Sequence, residues 1–374
     1  MRALIDYRPA LRERSGIGEY THELVRALAA SFDARAFDLA LFSSSWKDRI
    51  VVDEPELAGV RRIDRRWPVR VLNFAWHRMG SPVVERLTGD TFDVVHSMTP
   101  LLVPSQTAAQ VITIADLSFL TDATWTRAEI RRDYPALVHE HARRADGILV
   151  MSEHVAADAR RVLDVDPEKI SVVHAGAPAW APRPPAARGG YVLFVGTLEP
   201  RKNVGVLLDA YSHLIARGDA VPALLLAGKA TDAAGPWLER IARPPLAGHV
   251  RHLGYVDTSE RRALYEGAAV LVLPSLDEGF GLPVLEAMTL GVPVVASRRG
   301  SLPEVLGDAG QLVDAEDSEG LAAAIGHVLR DADFAAACAA RGIERSRQFN
   351  WTRAAQQTYA LYERAISRRR CASA

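Results

Sequence analysis

The chain is punctuated by short, near-continuous runs of Val, Ile and Leu that end in Gly, Ser, Asp or Pro and lead into segments of helical periodicity. Runs that are apolar at every position mark strands covered on both faces, and helices crossing over a parallel sheet supply that cover. The first half offers Phe92–His96, Val111–Ile114 and Gly147–Val150, with a weaker opening strand at Ala3–Asp6. The second half offers Tyr191–Val195, Ala223–Leu226, His249–Leu253, Val270–Leu273 and Val292–Val295. Between them, Ala175–Gly190 is rich in Pro, Gly and Ala and suits neither helix nor strand. This predicts an α/β chain of two doubly wound parallel-sheet (Rossmann-like) domains, and 374 residues suffice for two or three domains. Such a protein is expected to hold its ligand in a cleft where the carboxyl ends of the two sheets face each other.

Composition narrows the partners. Lys plus Arg number 45 against 46 Asp plus Glu, a net charge of -1, so no overall positive field recommends nucleic acid. Cys338 and Cys371 supply neither a disulfide framework nor the spaced ligands of a zinc site. No apolar run reaches the roughly 18 residues needed to span a bilayer. The opening MRALIDYRPALRERSG lacks the apolar segment of a secretory signal, so the expected compartment is the cytoplasm.

Four loops at strand ends carry the candidate chemistry. Arg14-Ser15-Gly16-Ile17-Gly18 precedes a helical run with Tyr20, Leu24, Val25 and Leu28. A glycine turn there is either a tight loop or a cradle that brings backbone N–H groups and a helix N-terminus to an anion. Gly196-Thr197-Leu198-Glu199-Pro200-Arg201-Lys202-Asn203 follows a buried strand. The planar donor fork of Arg201 and the mobile point charge of Lys202 together suit the two phosphates of a diphosphate. Leu273 to Met288 runs from strand through a glycine loop into a helix, with Pro283 suited to its first turn. Backbone N–H groups of Phe280, Gly281 and Leu282 would face the strand-end cleft, and Glu278 and Glu286 would hold two parts of one elongated polar ligand. Glutamates near a helix N-terminus also favour its dipole without any ligand. In Ser297 to Val305, Glu304 either faces the cleft or caps its helix.

The combination Gly-Thr-x-x-Pro-Arg-Lys-Asn, then Glu-Gly-Phe-Gly-Leu-Pro-x-Leu-Glu-Ala-Met, then Leu-Pro-Glu-Val resembles the retaining family 4 glycosyltransferases of GT-B fold, the bacterial mannosyltransferase-like group in particular. Ser152-Glu153-His154, Lys169 to His174 and the region of Trp351 fall in the family's order, so the resemblance covers nearly the whole chain. It implies an amino-terminal, acceptor-side domain of residues 1–178 completed by 350–374, and a donor-binding domain of 179–349. It implies transfer of a hexosyl group, mannose from GDP-mannose above all, to a saccharide or lipid-linked saccharide in polysaccharide or glycoconjugate biosynthesis. Arg201 and Lys202 would bind and stabilise the leaving diphosphate, and Glu278 would contact hydroxyls of the sugar beside the amides of Phe280, Gly281 and Leu282. Glu286 would hold the ribose, Tyr255 and Val256 would border the base, and Gly16, Gly18, Gly196 and Thr197 would line the diphosphate. The nucleotide sugar is a co-substrate; no cofactor and no metal is implied, since the two cations replace a divalent ion. Neither a nucleophile nor a general base of the protein is assigned.

One departure stands out. In Val111 to Leu120 the family usually has His where this chain has Ala115, which cannot donate a hydrogen bond or carry a proton. Another group acts there, or transfer is weakened or lost; Asp116 beside it is either an acceptor-side residue or a cap of the following turn. The alternative readings are therefore an impaired or noncatalytic sugar-nucleotide-binding homologue, a transferase using UDP-sugars, and, least favoured, an epimerase of the same fold. Arg61-Arg62-Ile63-Asp64-Arg65-Arg66-Trp67-Pro68-Val69-Arg70 either docks on anionic lipid at the inner face of the cell membrane or is a solvated basic loop with Trp67 packed inward. Thr126 to Ala145 reads as a core-facing helix through Ile130, Tyr134, Leu137, Val138 and Ala142, with Arg127, Arg131, Arg132, Arg143 and Arg144 outside.

Overall fold

The computed structural model describes every residue except 12, 13, 15, 51–54, 122–127, 185–189, 219, 220 and 374, and leaves aside the side chains of 56, 128–133 and 373. Ser15 and Arg127, and the side chains of Ile130, Arg131 and Arg132, thus lie outside the described residues. The chain forms two compact units, Met1–Gly176 with Asn350–Ala374, and Ala177–Phe349.

The first unit is built on β1 (Arg2–Asp6), β2 (Asp38–Ser44), β3 (Arg61–Arg65), β4 (Val94–Ser97), β5 (Ala109–Ile114), β6 (Gly147–Val150) and β7 (Ile170–Val172). They pair in the order β3-β2-β1-β4-β5-β6-β7, every pair parallel. The second unit contains β8 (Tyr191–Val195), β9 (Leu224–Ala227), β10 (Val250–Gly254), β11 (Ala268–Leu273), β12 (Val294–Ser297) and β13 (Gln311–Val313). Their order is β10-β9-β8-β11-β12-β13, again all parallel. In each sheet the winding reverses beside the first strand, between β1 and β4 and between β8 and β11. Connections there leave in opposite directions and open a crevice outside the carboxyl ends. The two doubly wound parallel sheets expected from the apolar runs are both present.

Residues of β6 and β8 match the apolar runs, β11 contains its run and begins two residues earlier, and β9 and β12 are shifted by one and two residues. β2, β3, β7 and β13 were not among the expected strands. β3 reads RRIDR and, like the three-residue β7 and β13, lies at a sheet edge, where one face or flank meets water and a continuous apolar run is not required.

Helices close both faces. Ile17–Ser31 opens after Gly16, whose φ of 53° belongs to the left-handed region that glycine adopts freely, and buries Tyr20, Leu24, Val25 and Leu28 completely. Ala128–Arg144 realises the basic helix and buries Val138 and Ala142. Trp351–Ser373 returns to the first sheet. Trp351 packs on Tyr20 with ring centroids 5.6 Å apart, and a Cβ on Gly176 would come within 2.4 Å of the Trp351 ring, so only glycine fits. Tyr362 on this helix meets Nδ1 of fully buried His96 at 2.7 Å, while Nε2 of His96 meets Thr113 at 2.8 Å. Among the described residues, no helix is long and apolar enough to cross a membrane.

Burial holds His96 neutral and lowers its pKa to about 3, below that of free imidazole. Its contribution to stability is therefore complete above the unfolded value of about 6.5 and is lost as pH falls from there toward 3, by up to about 1.4 kcal/mol per pH unit. His96→Asn is expected to flatten this acid limb. Denaturant unfolding between pH 7.5 and 4.5 checks it, and an unchanged slope would show that His96 is not the group protonated on unfolding.

Candidate active site

Two loops meet at the winding reversal of the second sheet. β8 runs into Gly196, and β9 ends at Gly228, where a Cβ would lie 2.0 Å from the Gly196 carbonyl oxygen; the two strand ends approach this closely only because a glycine stands there. Pro200, Arg201 and Lys202 then form one tight helical turn. Asn203 ends that turn in the left-handed conformation, and its Nδ2 donates to the carbonyls of Pro274 at 3.0 Å and Ala315 at 2.7 Å. The turn is thereby fastened to the loop that follows β11. Leu276 N donates to the Arg201 carbonyl at 2.8 Å, and the Arg201 guanidinium donates to the Asp277 carbonyl at 2.8 Å.

These bonds bring Arg201, Lys202 and Glu278 together. Lys202 Nζ lies 2.5 Å from Glu278 Oε1, Arg201 Nη1 3.3 Å from Oε2, and the Ser275 hydroxyl donates to Oε1 at 2.7 Å. Glu199, at the rim, takes the other Arg201 nitrogen at 2.9 Å. Glu278 is 5% exposed and Lys202 8%. Its backbone is pinned from below, because Ser301 donates to the Glu278 carbonyl through N at 3.0 Å and Oγ at 2.9 Å. Gly300, at φ 59°, passes so close that a Cβ would stand 2.5 Å from Glu278 N. Burial by itself would raise the Glu278 carboxyl; the charges of Lys202 and Arg201, then hydrogen bonds from Lys202 and Ser275, outweigh it and hold the pKa at about 2. The group is a fixed anion at neutral pH, suited to hold and orient rather than to donate a proton.

Glu286 has a separate set of partners. It sits in the second turn of the helix Leu282–Leu290, buried, with Oε2 accepting from Tyr265 at 2.8 Å and Oε1 3.0 Å from Arg261 Nη2. Burial, then the charge of Glu286, raises the Tyr265 hydroxyl well above its usual range, so it remains a donor. Arg261 and Tyr265, on the helix Thr258–Gly267, were missed because nothing in a polar helical run reveals which side chains reach a neighbouring helix. Ser275, Gly300 and Ser301 were passed over for the same kind of reason.

The remaining expectations are placed as follows. Gly196 and Thr197 are half-buried at the end of β8, and Pro283 occupies the first turn of its helix after Gly281 at φ 99°. Leu282 opens that helix, while Phe280 is 2% exposed and packs on Phe349 with centroids 5.7 Å apart. Tyr255 is exposed, with Lys229 Nζ 5.4 Å from its ring centroid, and Val256 is half-buried. In the first unit, Gly16 is exposed and Gly18 buried at the start of the helix after β1. Ala115 and Asp116 are half-buried just beyond β5; Asp116 Oδ1 accepts from Ser118 N at 3.1 Å and Oγ at 2.7 Å, the turn-capping arrangement. Among the described residues no group of three or more His, Cys, Asp or Glu could hold a metal ion.

Comparison with known proteins fits this architecture. "Glycosyl transferase 4-like domain" matches residues 15–176 and "Glycosyl transferases group 1" matches residues 189–331. O-antigen chain mannosyltransferase B of Escherichia coli is 30% identical over 97% of this chain and 100% of its own. The chain belongs to the family 4 glycosyltransferases. A second relative of this transferase, the phosphatidyl-myo-inositol mannosyltransferase of Mycolicibacterium smegmatis, is 38% identical over 47% of this chain and 45% of its own. Sucrose-phosphate synthase from Thermosynechococcus elongatus shares the fold, with a TM-score of 0.77, 22% identity and coverage of 98% of this chain and 99% of that one.

Removing the Glu278 charge leaves Arg201 and Lys202 facing each other with less compensation in a buried site. Glu278→Gln of this transferase is expected to unfold about 2–4 kcal/mol more easily, and adding Lys202→Met to recover part of that loss. Urea unfolding of the single and double variants measures it. Additive losses would mean that the pair is not coupled.

Proposed function

We propose that the chain is a retaining hexosyltransferase that moves mannose from GDP-mannose to a saccharide or lipid-linked saccharide acceptor in polysaccharide or glycoconjugate biosynthesis. The observation that carries this reading is the convergence of Arg201 and Lys202 on one buried carboxylate at the winding reversal of the second sheet. The end-to-end likeness to a protein named as a mannosyltransferase supports the sugar.

In this reading the donor diphosphate takes Arg201 and Lys202 from the carboxylates that neutralise them, and the two cations meet the charge that develops as the diphosphate leaves. Preorganised donors in a water-poor site are worth most at that moment. Glu278 holds hydroxyls of the transferred sugar, with the backbone of Phe280, Gly281 and Leu282 beside it. Glu286, oriented by Arg261 and Tyr265, holds the ribose hydroxyls, and Tyr255 and Val256 border the base. The bond from the anomeric carbon to phosphate breaks while the acceptor oxygen bonds to that carbon on the same face. The acceptor proton passes to the departing phosphate oxygen. No protein nucleophile is required, and the paired cations supply the charge that a divalent ion would otherwise bring.

Thermal unfolding with single nucleotides tests the donor. GDP or GDP-mannose is expected to raise stability more than UDP or UDP-sugars, by about 2.7 kcal/mol at a hundredfold excess over Kd. The reverse order would replace mannose by a UDP-linked sugar. With GDP-mannose and acceptor, Lys202→Ala is expected to lower kcat/KM by about 10²–10³, whereas Tyr265→Phe raises the donor KM with little change in kcat. Donor binding without transfer to any acceptor would establish the impaired homologue, to which the lack of a proton-carrying group at Ala115 would then contribute. Interconversion of UDP-sugars without acceptor would establish an epimerase.

A further inference from the structure

One corner of the first unit carries a surface to which the proposed reaction assigns no residue. β2 and β3 pair in parallel up to Ser44 opposite Arg65, and Ser44 Oγ donates to the Trp67 carbonyl at 3.0 Å. Each strand carries a tryptophan two residues beyond that last pair, Trp46 and Trp67, so both leave the sheet at the same end, 69% and 43% exposed. Trp67 is thus only partly covered, in contrast to a basic loop with its tryptophan packed inward. The helix Val69–Met79 begins two residues later. It turns Leu72, Ala75 and Trp76 into the core and leaves Val71, Phe74 and Met79 at 53%, 65% and 65% exposure. Residues three apart share a helix face, so Val71 and Phe74 form a stripe. Among the described residues seven large hydrophobic side chains are exposed; six belong to this corner, and the seventh, Tyr255, is in the other unit.

Charge sorts around it in a consistent way. Arg61 turns to Asp90, and Arg65 donates to the carbonyls of Leu87 and Thr88 at 2.6 and 3.1 Å, so these two arginines serve the interior of the unit. Lys47, Arg62, Arg66, Arg70 and Arg78 are exposed among the apolar tips. The acidic residue of the stretch, Asp64, is engaged by Arg49 at 2.8 Å and by Ser43. Among the described residues, Asp48 beside Lys47 is half-buried and takes the Ser45 hydroxyl at 3.1 Å, so the exposed charges next to these apolar tips are chiefly basic. That arrangement fits the boundary of a bilayer, where aromatic rings sit at headgroup level and basic groups meet phosphates. A second copy of the chain would bring the same positive ring against this one, an unfavourable self-contact.

We infer that this corner docks the protein on a membrane surface containing anionic lipid. Trp46, Trp67 and Phe74 enter the headgroup region, and Arg62, Arg66, Arg70 and Arg78 face the lipid phosphates. The inference stands independently of which donor the other unit takes.

Co-sedimentation of the full chain with vesicles of phosphatidylcholine, with and without phosphatidylglycerol, tests it. Binding is expected only to the anionic vesicles and to weaken as salt rises. Arg66→Glu with Arg70→Glu is expected to lower partitioning by roughly 30-fold or more. Trp67→Ser with Phe74→Ser, compared with the parent at a temperature where thermal unfolding shows both folded, is expected to lower it by roughly tenfold. Lack of binding to anionic vesicles, or equal binding by parent and both variants, would overturn the inference. So would concentration-dependent dimerisation that the Trp67 and Phe74 changes abolish.

Discussion

The second unit is organised around a charge balance largely withdrawn from water. Two cations on one tight turn, Arg201 and Lys202, are held against Glu278 on the neighbouring loop, and none of the three is far from full burial. Ions taken out of water cost several kcal/mol each, so such a cluster persists only where geometry and supporting hydrogen bonds are good. That requirement explains features that look incidental one at a time. Asn203 takes a left-handed backbone to bridge two carbonyls, Ser275 and Ser301 donate to the two ends of Glu278, and Gly228 and Gly300 let backbones pass where no side chain fits. The second acid, Glu286, has its own supports in Arg261 and Tyr265, so the two carboxylates of the same loop and helix are fixed by different neighbours.

Much of this was legible in the sequence because it depends on backbone chemistry. Strands buried on both faces are largely apolar, which made β4, β5, β6, β8, β9, β11 and β12 visible as runs. Glycines and Pro283 at strand-to-helix turns marked where the loops would lie. Among the edge strands β10 was legible, but β3 is four-fifths charged residues and β7 and β13 are too short to form a run, while interior β2 ends in two serines and follows no clear punctuation. The partners of the acids escaped for a different reason. Whether Arg261 reaches Glu286, or Ser301 reaches Glu278, depends on how a helix or loop from a distant part of the chain is rotated, and local pattern does not encode rotation. At Asp116 sequence reasoning left two readings open, and the Ser118 contacts supply the capping geometry.

The first unit follows a different logic. Its interior combines neutral contacts, His96 between Tyr362 and Thr113 and Tyr7 against His22 at 2.8 Å, with the ion pair of buried Asp6 and Arg8 at 2.7 Å. Other charges lie outside, where arginines on β3 divide between inward and outward duty according to the alternation of the strand. The second unit thus concentrates paired ions at a strand-end crevice, while the first also presents cations with exposed aromatic rings at a sheet edge.

The helix Trp351–Ser373 belongs spatially with residues from far earlier in the chain, filling the space over β4, β5 and β6 with Tyr362 and its neighbours. A growing polypeptide would therefore emerge with the sheet encoded first still lacking part of its cover, while the unit encoded second is already whole. The unit that begins first is completed after the other, and during synthesis its uncovered apolar face must wait for the helix Trp351–Ser373 to leave the ribosome.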